Sequence, residues 1–242
     1  MNIITVDIGN SATKITIAPE TSLVRIDLGD LESLKISAAA HHWVIVSVAP
    51  TKTETLIKWL GKIRPGDKAT VITNADIPMR SSVKDRAGVG TDRLLAAYAA
   101  KRLNHDQASV IIDAGTAVTI DYVNHQGTFC GGMIFPGLTS SLKSLAENTA
   151  ALPNLISEKI PPITHDIRIG DDTQTAILNG VAQSQAWAII CITEKLAKQH
   201  DAQVFVTGGD ANLIKNVMPV VWHSVPNLIH QGCRTLFKSS GK

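Results

Sequence analysis

Two segments of this chain repeat one pattern. VDIGNSATKITI (Val6 to Ile17) and IDAGTAVTIDYV (Ile112 to Val123) each run a branched apolar strand into Asp-x-Gly, then small or hydroxyl residues, then a second branched strand. Branched residues favour strands and Asp, Gly and Asn favour turns, so each copy predicts a β-hairpin with an acidic tip. One such hairpin is commonplace. Two of them, each opening a half of the chain, imply two halves of similar plan. The polar break Asn104, His105, Asp106, Gln107 places a hinge near 105–109, which divides the chain into halves 1–106 and 107–242.

Apolar periodicity fills in the rest of an α/β chain. Strands are predicted near 2–7, 13–18, 23–28, 43–49 and 69–74, with helices near 31–40, 52–63 and 92–104. The order then restarts with strands at Val110–Asp113, Ala117–Val123 and Thr128–Ile134 and helices near 139–147 and 173–199. The strand Gln203–Val206, a short helix from Asp210, the strand Val220–His223 and a final helix complete it.

Composition narrows the function classes. The 242 residues suit one large α/β domain or two smaller ones, and 23 basic groups nearly balance 21 acidic ones. That balance carries no electrostatic footprint for nucleic acid or an anionic membrane. Cys130, Cys191 and Cys233 are far apart and odd in number, which fits free thiols in a reducing compartment. No signal-peptide pattern follows Met1 and no apolar run of the roughly 18 residues a membrane helix needs is expected, so the cytoplasm is the expected location. The histidines lack metal-binding spacing, and His41 and His42, ahead of the strand Trp43–Val48, are expected to face solvent.

The acidic turns carry the chemistry. Glycine after a strand-terminal aspartate permits φ > 0 and close approach, and successive N–H groups in such a turn converge on an anion such as phosphate. Asn10, Ser11 and Thr116 can donate to phosphate oxygens, and Lys14 can place a compact charge beside them. Asp7 and Asp113 would repel phosphate unless each faces a cation, directly or through water, as Mg²⁺ with its few carboxylate ligands would allow. A third piece, TGGDA (Thr207 to Ala211), has paired glycines that leave room for a flat ring, with Asp210 as a candidate N-cap.

Together these pieces resemble the nucleotide cleft of the actin, hexokinase and Hsp70 group, and more closely the type III pantothenate kinases. The family's motifs stand here, in order, as DIGN (Asp7–Asn10), GTDR (Gly90–Arg93), DAGTA (Asp113–Ala117), GGMIFPG (Gly131–Gly137) and TGGD (Thr207–Asp210). The resemblance implies duplicated ribonuclease H-like halves with a nucleotide cleft between them, and ATP-dependent phosphorylation of pantothenate to 4′-phosphopantothenate, the first step of coenzyme A synthesis. It implies ATP contacts by Asp7, Ile8, Gly9, Asn10, Ser11, Ala12, Thr13, Lys14, Thr116, Gly208 and Gly209. Asp92 becomes the catalytic base, Arg93 grips the substrate carboxylate, and Gly90 and Thr91 complete the pocket. Mg²⁺ is implied at Asp7, directly or through water, and a monovalent cation, K⁺ or NH4⁺, at Asp113. Thr173 would touch substrate from the neighbouring subunit of a homodimer.

Folding alone offers other roles for two of these residues: Asp92 and Thr173 each stand where a helix N-cap belongs. Apolar residues at Ile177, Val181, Ala188, Ile192 and Leu196 suit either a core or a dimer face. The chain departs from the family at Val83, where a tyrosine is usual, and lacks the proline that usually follows before the aspartate. That departure leaves open a kinase for another small hydroxylated acid or a sugar. A nucleotide-binding accessory factor in transcription is a further alternative.

Overall fold

The structure, a computed structural model, describes residues 2–17 and 23–239. They form two compact units, Met1–Leu103 with Asn227–Lys242, and Asn104–Pro226.

In the first unit, β1 (Asn2–Ile8), β2 (Thr13–Ile17), β3 (Val24–Ile26), β4 (His41–Ser47) and β5 (Lys68–Ile72) lie in the order β3-β2-β1-β4-β5. The β1–β2 and β2–β3 pairs are antiparallel, whereas β4 and β5 run parallel to β1. Alternation along β1 sends Ile4, Val6 and Ile8 to one face, where they form a core with Ile15, Trp43, Ile45, Leu31 and with Leu56 and Leu60 of α1 (Pro50–Ile63). The opposite face presents Thr5 and Asp7, and on β2 their register partners Thr16 and Lys14. There α2 (Thr91–Leu103) and α5 (Leu228–Ser239) pack against each other and against the sheet. A buried sheet face that carries an acid, a lysine and two threonines is costly for packing alone.

The second unit repeats the plan. Its strands β7 (Ala108–Ala114), β8 (Ala117–Val123), β9 (Thr128–Pro136), β10 (Ala202–Thr207) and β11 (His223–Ser224) run β9-β8-β7-β10-β11. Again the first three are antiparallel and the last two parallel to the first. Val110, Ile112, Val118 and Ile120 meet Leu138 and Leu142 of α3 (Leu138–Asn148) and Leu178, Val181, Ala182, Ala186 and Ile189 of α4 (Thr173–His200) in one core. A short strand β6 (Arg80–Ser81) precedes α2 and has no counterpart in the sequence reading.

Several expectations are corrected. The helix near 31–40 is a 3-10 turn, Leu28–Ser33, followed by extended backbone at Leu34: leucines three apart mimic helical spacing yet are satisfied by one tight turn. Only His223–Ser224 of the last strand pairs with β10, and Val220 and Val221 are exposed. The helix from Asp210 is a 3-10 turn, Ala211–Leu213. His41 and His42 belong to β4 and are buried rather than solvent-facing. The His41 N–H donates to Asp67 at 3.0 Å, and the His42 ring meets Phe237 edge-on with Nε2 2.8 Å from Thr70 Oγ1.

The cut at 106/107 also misplaces the last helix. Side chains of α5 at His230, Cys233 and Phe237 are buried, and α5 packs on β1 and β4, so it closes the first unit rather than the second. Finally, α4 is long and apolar enough, by length and composition, to cross a membrane, contrary to the sequence expectation. Its buried face lies in the second core.

Candidate active site

The first acidic turn follows directly from the β1–β2 hairpin. Asp7 and Ile8 end β1, the Gly9 N–H donates to the Ala12 carbonyl at 3.0 Å, and Thr13 and Lys14 return opposite Ile8 and Asp7. Asn10 and Ser11 are exposed at the tip, with Ala12 half-buried behind them. Gly9 keeps an ordinary backbone; among the described residues only Gly127, Gly131, Gly208 and Asp201 have positive φ. The expected left-handed glycine is therefore absent from both acidic turns, and close approach alone explains Gly9.

Lys14 Nζ lies 3.5 Å from the Asp7 carboxylate, whose side chain is only 10% exposed. Burial raises the Asp7 pKa, Lys14 opposes that rise, and the charge of Asp92 adds to it. Asp7, Lys14 and Asp92 thus share one electrostatic neighbourhood within the first unit. Behind the turn stands a residue the sequence reading missed: Lys52 of α1 donates from Nζ to the carbonyls of Gly9 (3.2 Å) and Asn10 (2.6 Å).

GTDR opens α2, with Thr91 its first residue. The Asp92 carboxylate accepts from the Arg93 N–H at 2.8 Å, inside the first turn, where an acid suits the positive end of the helix dipole. Gly90 accepts from the Leu94 N–H at 3.2 Å. The loop ahead of it hangs on Asn74, which sequence reasoning also missed. Its amide nitrogen donates to the carbonyls of Arg86, Ala87 and Val89 (3.2, 3.2 and 2.7 Å), while its oxygen accepts from the Thr91 hydroxyl at 2.7 Å. Arg86, in the proline-free stretch from Val83 to Asp92, donates to the Ile77 carbonyl at 2.9 Å, and Val83 is half-buried with its N–H 3.4 Å from Ser81 Oγ.

In the second unit three motifs converge on one turn. Asp113, half-buried, sits in β7 between Thr119 and Thr207. Thr116 is exposed, and its carbonyl accepts from the Gly137 N–H (2.9 Å) and the Ser140 hydroxyl (2.7 Å). A Cβ on Gly137 would collide with the Gly115 carbonyl. Gly208 adopts φ 103° and lies so close to the Ala114 backbone that no side chain fits, and the Asp210 N–H donates to the Ala114 carbonyl at 2.8 Å. GGMIFPG and TGGD are thereby both docked on DAGTA, with Gly209 exposed at the rim. Asp210 makes no side-chain cap bond. Thr173 is exposed at the start of α4, and the cap expected of it is supplied by Asp172, which accepts from the Thr175 N–H at 2.7 Å.

No group of three or more His, Cys, Asp or Glu side chains that could hold a metal ion occurs among the described residues. Mg²⁺ keeps several waters and binds through one or two carboxylates plus substrate phosphates. The buried Asp7 carboxylate, with one ammonium beside it and a second carboxylate in electrostatic reach, fits such an ion. Asp113 supplies a hard oxygen donor, while the neighbouring Ala114 and Thr116 carbonyls already accept from the Asp210 and Gly137 N–H groups and the Ser140 hydroxyl.

Two ribonuclease H-like units of identical strand order, each with an aspartate at the end of its first strand, define a protein of the actin-like ATPase fold. Residues 3–195 match the type III pantothenate kinase family, to which the chain belongs. It is 32% identical over 257 residues to a type III pantothenate kinase of Desulfovibrio desulfuricans, covering 96% of this chain and 94% of that one. Against the type III pantothenate kinase of Alkalilimnicola ehrlichii it is 31% identical over 220 residues, covering 88% and 85%. Among solved structures, a Campylobacter jejuni protein assigned to the Baf family of transcriptional activators superposes with a TM-score of 0.64 at 20% identity over 98% of each chain, a likeness of fold.

Proposed function

We propose that this protein is an ATP-dependent pantothenate kinase that forms 4′-phosphopantothenate, the first step of coenzyme A synthesis, in the cytoplasm. The observation that carries the reading is the cluster of Asp7, Lys14 and Asp92 on one polar side of the first sheet. It combines a charge-neutralising pair with a carboxylate base, which is what phosphoryl transfer asks of a protein.

In this reading the 4′-hydroxyl oxygen of pantothenate bonds to the γ-phosphorus of ATP as the bond from that phosphorus to the bridging oxygen breaks, releasing ADP. The hydroxyl proton passes to Asp92. Because the transition state is loose, the base gains more from position than from a raised pKa. Asp7, Ile8, Gly9, Asn10, Ser11, Ala12, Thr13 and Lys14 hold the phosphate tail, and Thr116, Gly208 and Gly209 contact the nucleotide. Arg93 grips the substrate carboxylate as a bidentate fork, and Gly90 and Thr91 shape the pocket. Mg²⁺ near Asp7, directly or through water, would neutralise phosphate charge. Asp113 would hold K⁺ or NH4⁺. The protein acts as a homodimer in which Thr173 reaches the neighbouring subunit's substrate.

A coupled assay of ADP release with pantothenate, Mg²⁺ and either K⁺ or Na⁺ tests this. Turnover that needs pantothenate and prefers K⁺ is expected, with Asp92→Asn lowering kcat about 10²- to 10⁴-fold. Undiminished turnover by that variant would overturn the role of Asp92. No turnover with pantothenate, against turnover with another hydroxylated acid or a sugar, would move the acceptor. Val83, half-buried where the family usually carries a tyrosine, is the observation that favours such a change.

A further inference from the structure

Lys52 is remote in sequence from every motif above, yet its side chain contacts the first acidic turn through two hydrogen bonds, at 3.2 Å to Gly9 O and 2.6 Å to Asn10 O. It belongs to α1, which covers the Ile4, Val6 and Ile8 face, whereas Asp7 and Lys14 project from the other face. A trans peptide is planar, with its C=O and N–H pointing in opposite directions. Two consecutive carbonyls drawn back onto Lys52 therefore send the N–H groups of Asn10 and Ser11 the other way, away from α1. Successive N–H groups with a common direction make a concave anion site. The ammonium also offsets two carbonyl dipoles whose negative ends would otherwise repel an approaching phosphate.

We propose that Lys52 is a positioning residue for the triphosphate tail: it acts through the Gly9–Asn10 and Asn10–Ser11 peptides rather than by touching the nucleotide. This rests on the reading that the first turn binds ATP. A merely structural lysine would hold the loop for stability and leave nucleotide affinity in step with everything else. The two roles separate in a split between substrates.

The test compares wild type, Lys52→Met and Lys52→Arg by ADP release, by calorimetric titration with a non-hydrolysable ATP analogue and Mg²⁺, and by melting temperature. Lys52→Met is expected to raise both KM for ATP and the analogue's Kd about tenfold, the scale of one charged hydrogen bond, with KM for pantothenate and Tm little changed. Lys52→Arg, which can still donate to both carbonyls, recovers most of the loss. Unchanged analogue binding in Lys52→Met overturns the proposal, and so does an equal loss for both substrates accompanied by a fall in Tm. A wild type that binds the analogue but does not phosphorylate pantothenate overturns the acceptor and leaves the Lys52 comparison intact, whereas one that binds no nucleotide removes both.

Discussion

Asp7 and Lys14 are register partners across β1 and β2, and their charged ends meet at 3.5 Å on the polar side of the first sheet. The pairing is incomplete as compensation, because the Asp7 pKa stays raised: burial and the nearby Asp92 outweigh the lysine. A buried carboxylate in that state gains from further positive charge, which a phosphate-bound divalent cation would supply.

Lys14→Met removes the ammonium and leaves Asp7 and Asp92 to repel each other across a poorly hydrated space. Its expected result is a rise in KM for ATP and a fall in kcat that together lower kcat/KM for ATP about 10²-fold, the scale of losing one preorganised donor to a developing anion. KM for pantothenate should move much less. Steady-state kinetics with each substrate varied in turn checks it, and an unaltered kcat/KM for ATP would remove Lys14 from the phosphate site.

Asn74 offers a different kind of test, since it ties four points of the loop leading to Asp92 and touches none of the charged groups. Asn74→Ala leaves three carbonyls and the Thr91 hydroxyl short of a partner, which costs about 1–3 kcal/mol of stability if water does not replace it. The kinetic signature is a larger increase in KM for pantothenate than for ATP, because Gly90 to Arg93 form the acceptor pocket in the proposed reading. Equal changes in the two constants would reduce Asn74 to a stabilising role.

The residues that were legible in sequence are those whose roles are set within a few positions along the chain. Asp7, Gly9 and Lys14 announce a hairpin by turn chemistry, and Asp113 repeats it. Asn74 and Lys52 act on turns 17 and 42 residues away respectively, through side chains that look like ordinary polar surface in a single sequence. The histidines show the converse error: His41 and His42 read as a polar prelude to an apolar strand, but Asp67 and Thr70 of the neighbouring segment and Phe237 of α5 give them buried partners. Likewise, nothing local in α5 says which sheet it covers, because an apolar stripe fits either unit.

That same helix carries a measurable pH dependence. His230 is 2% exposed, its Nδ1 lies 2.9 Å from Thr5 Oγ1, and Thr5 Oγ1 in turn lies 2.7 Å from Thr16 Oγ1, which accepts from Arg234. Burial first, and then the charges of Lys14 and Arg234, depress the His230 pKa from 6.5 to about 3. Between those values the unfolded chain binds a proton that the native state refuses, so stability falls as pH drops from 6.5 towards 3. The slope is at most about 1.4 kcal/mol per pH unit from this group. His230→Gln keeps a polar contact for Thr5 and abolishes that linkage. Near pH 7.5 the variant should be the less stable by about 0.5–1.5 kcal/mol, one hydrogen bond's worth, with the gap closing and then reversing on acidification. Denaturant melts of both proteins at intervals from pH 7.5 to 4.5 read this out, and parallel curves would mean that His230 is protonated alike in both states.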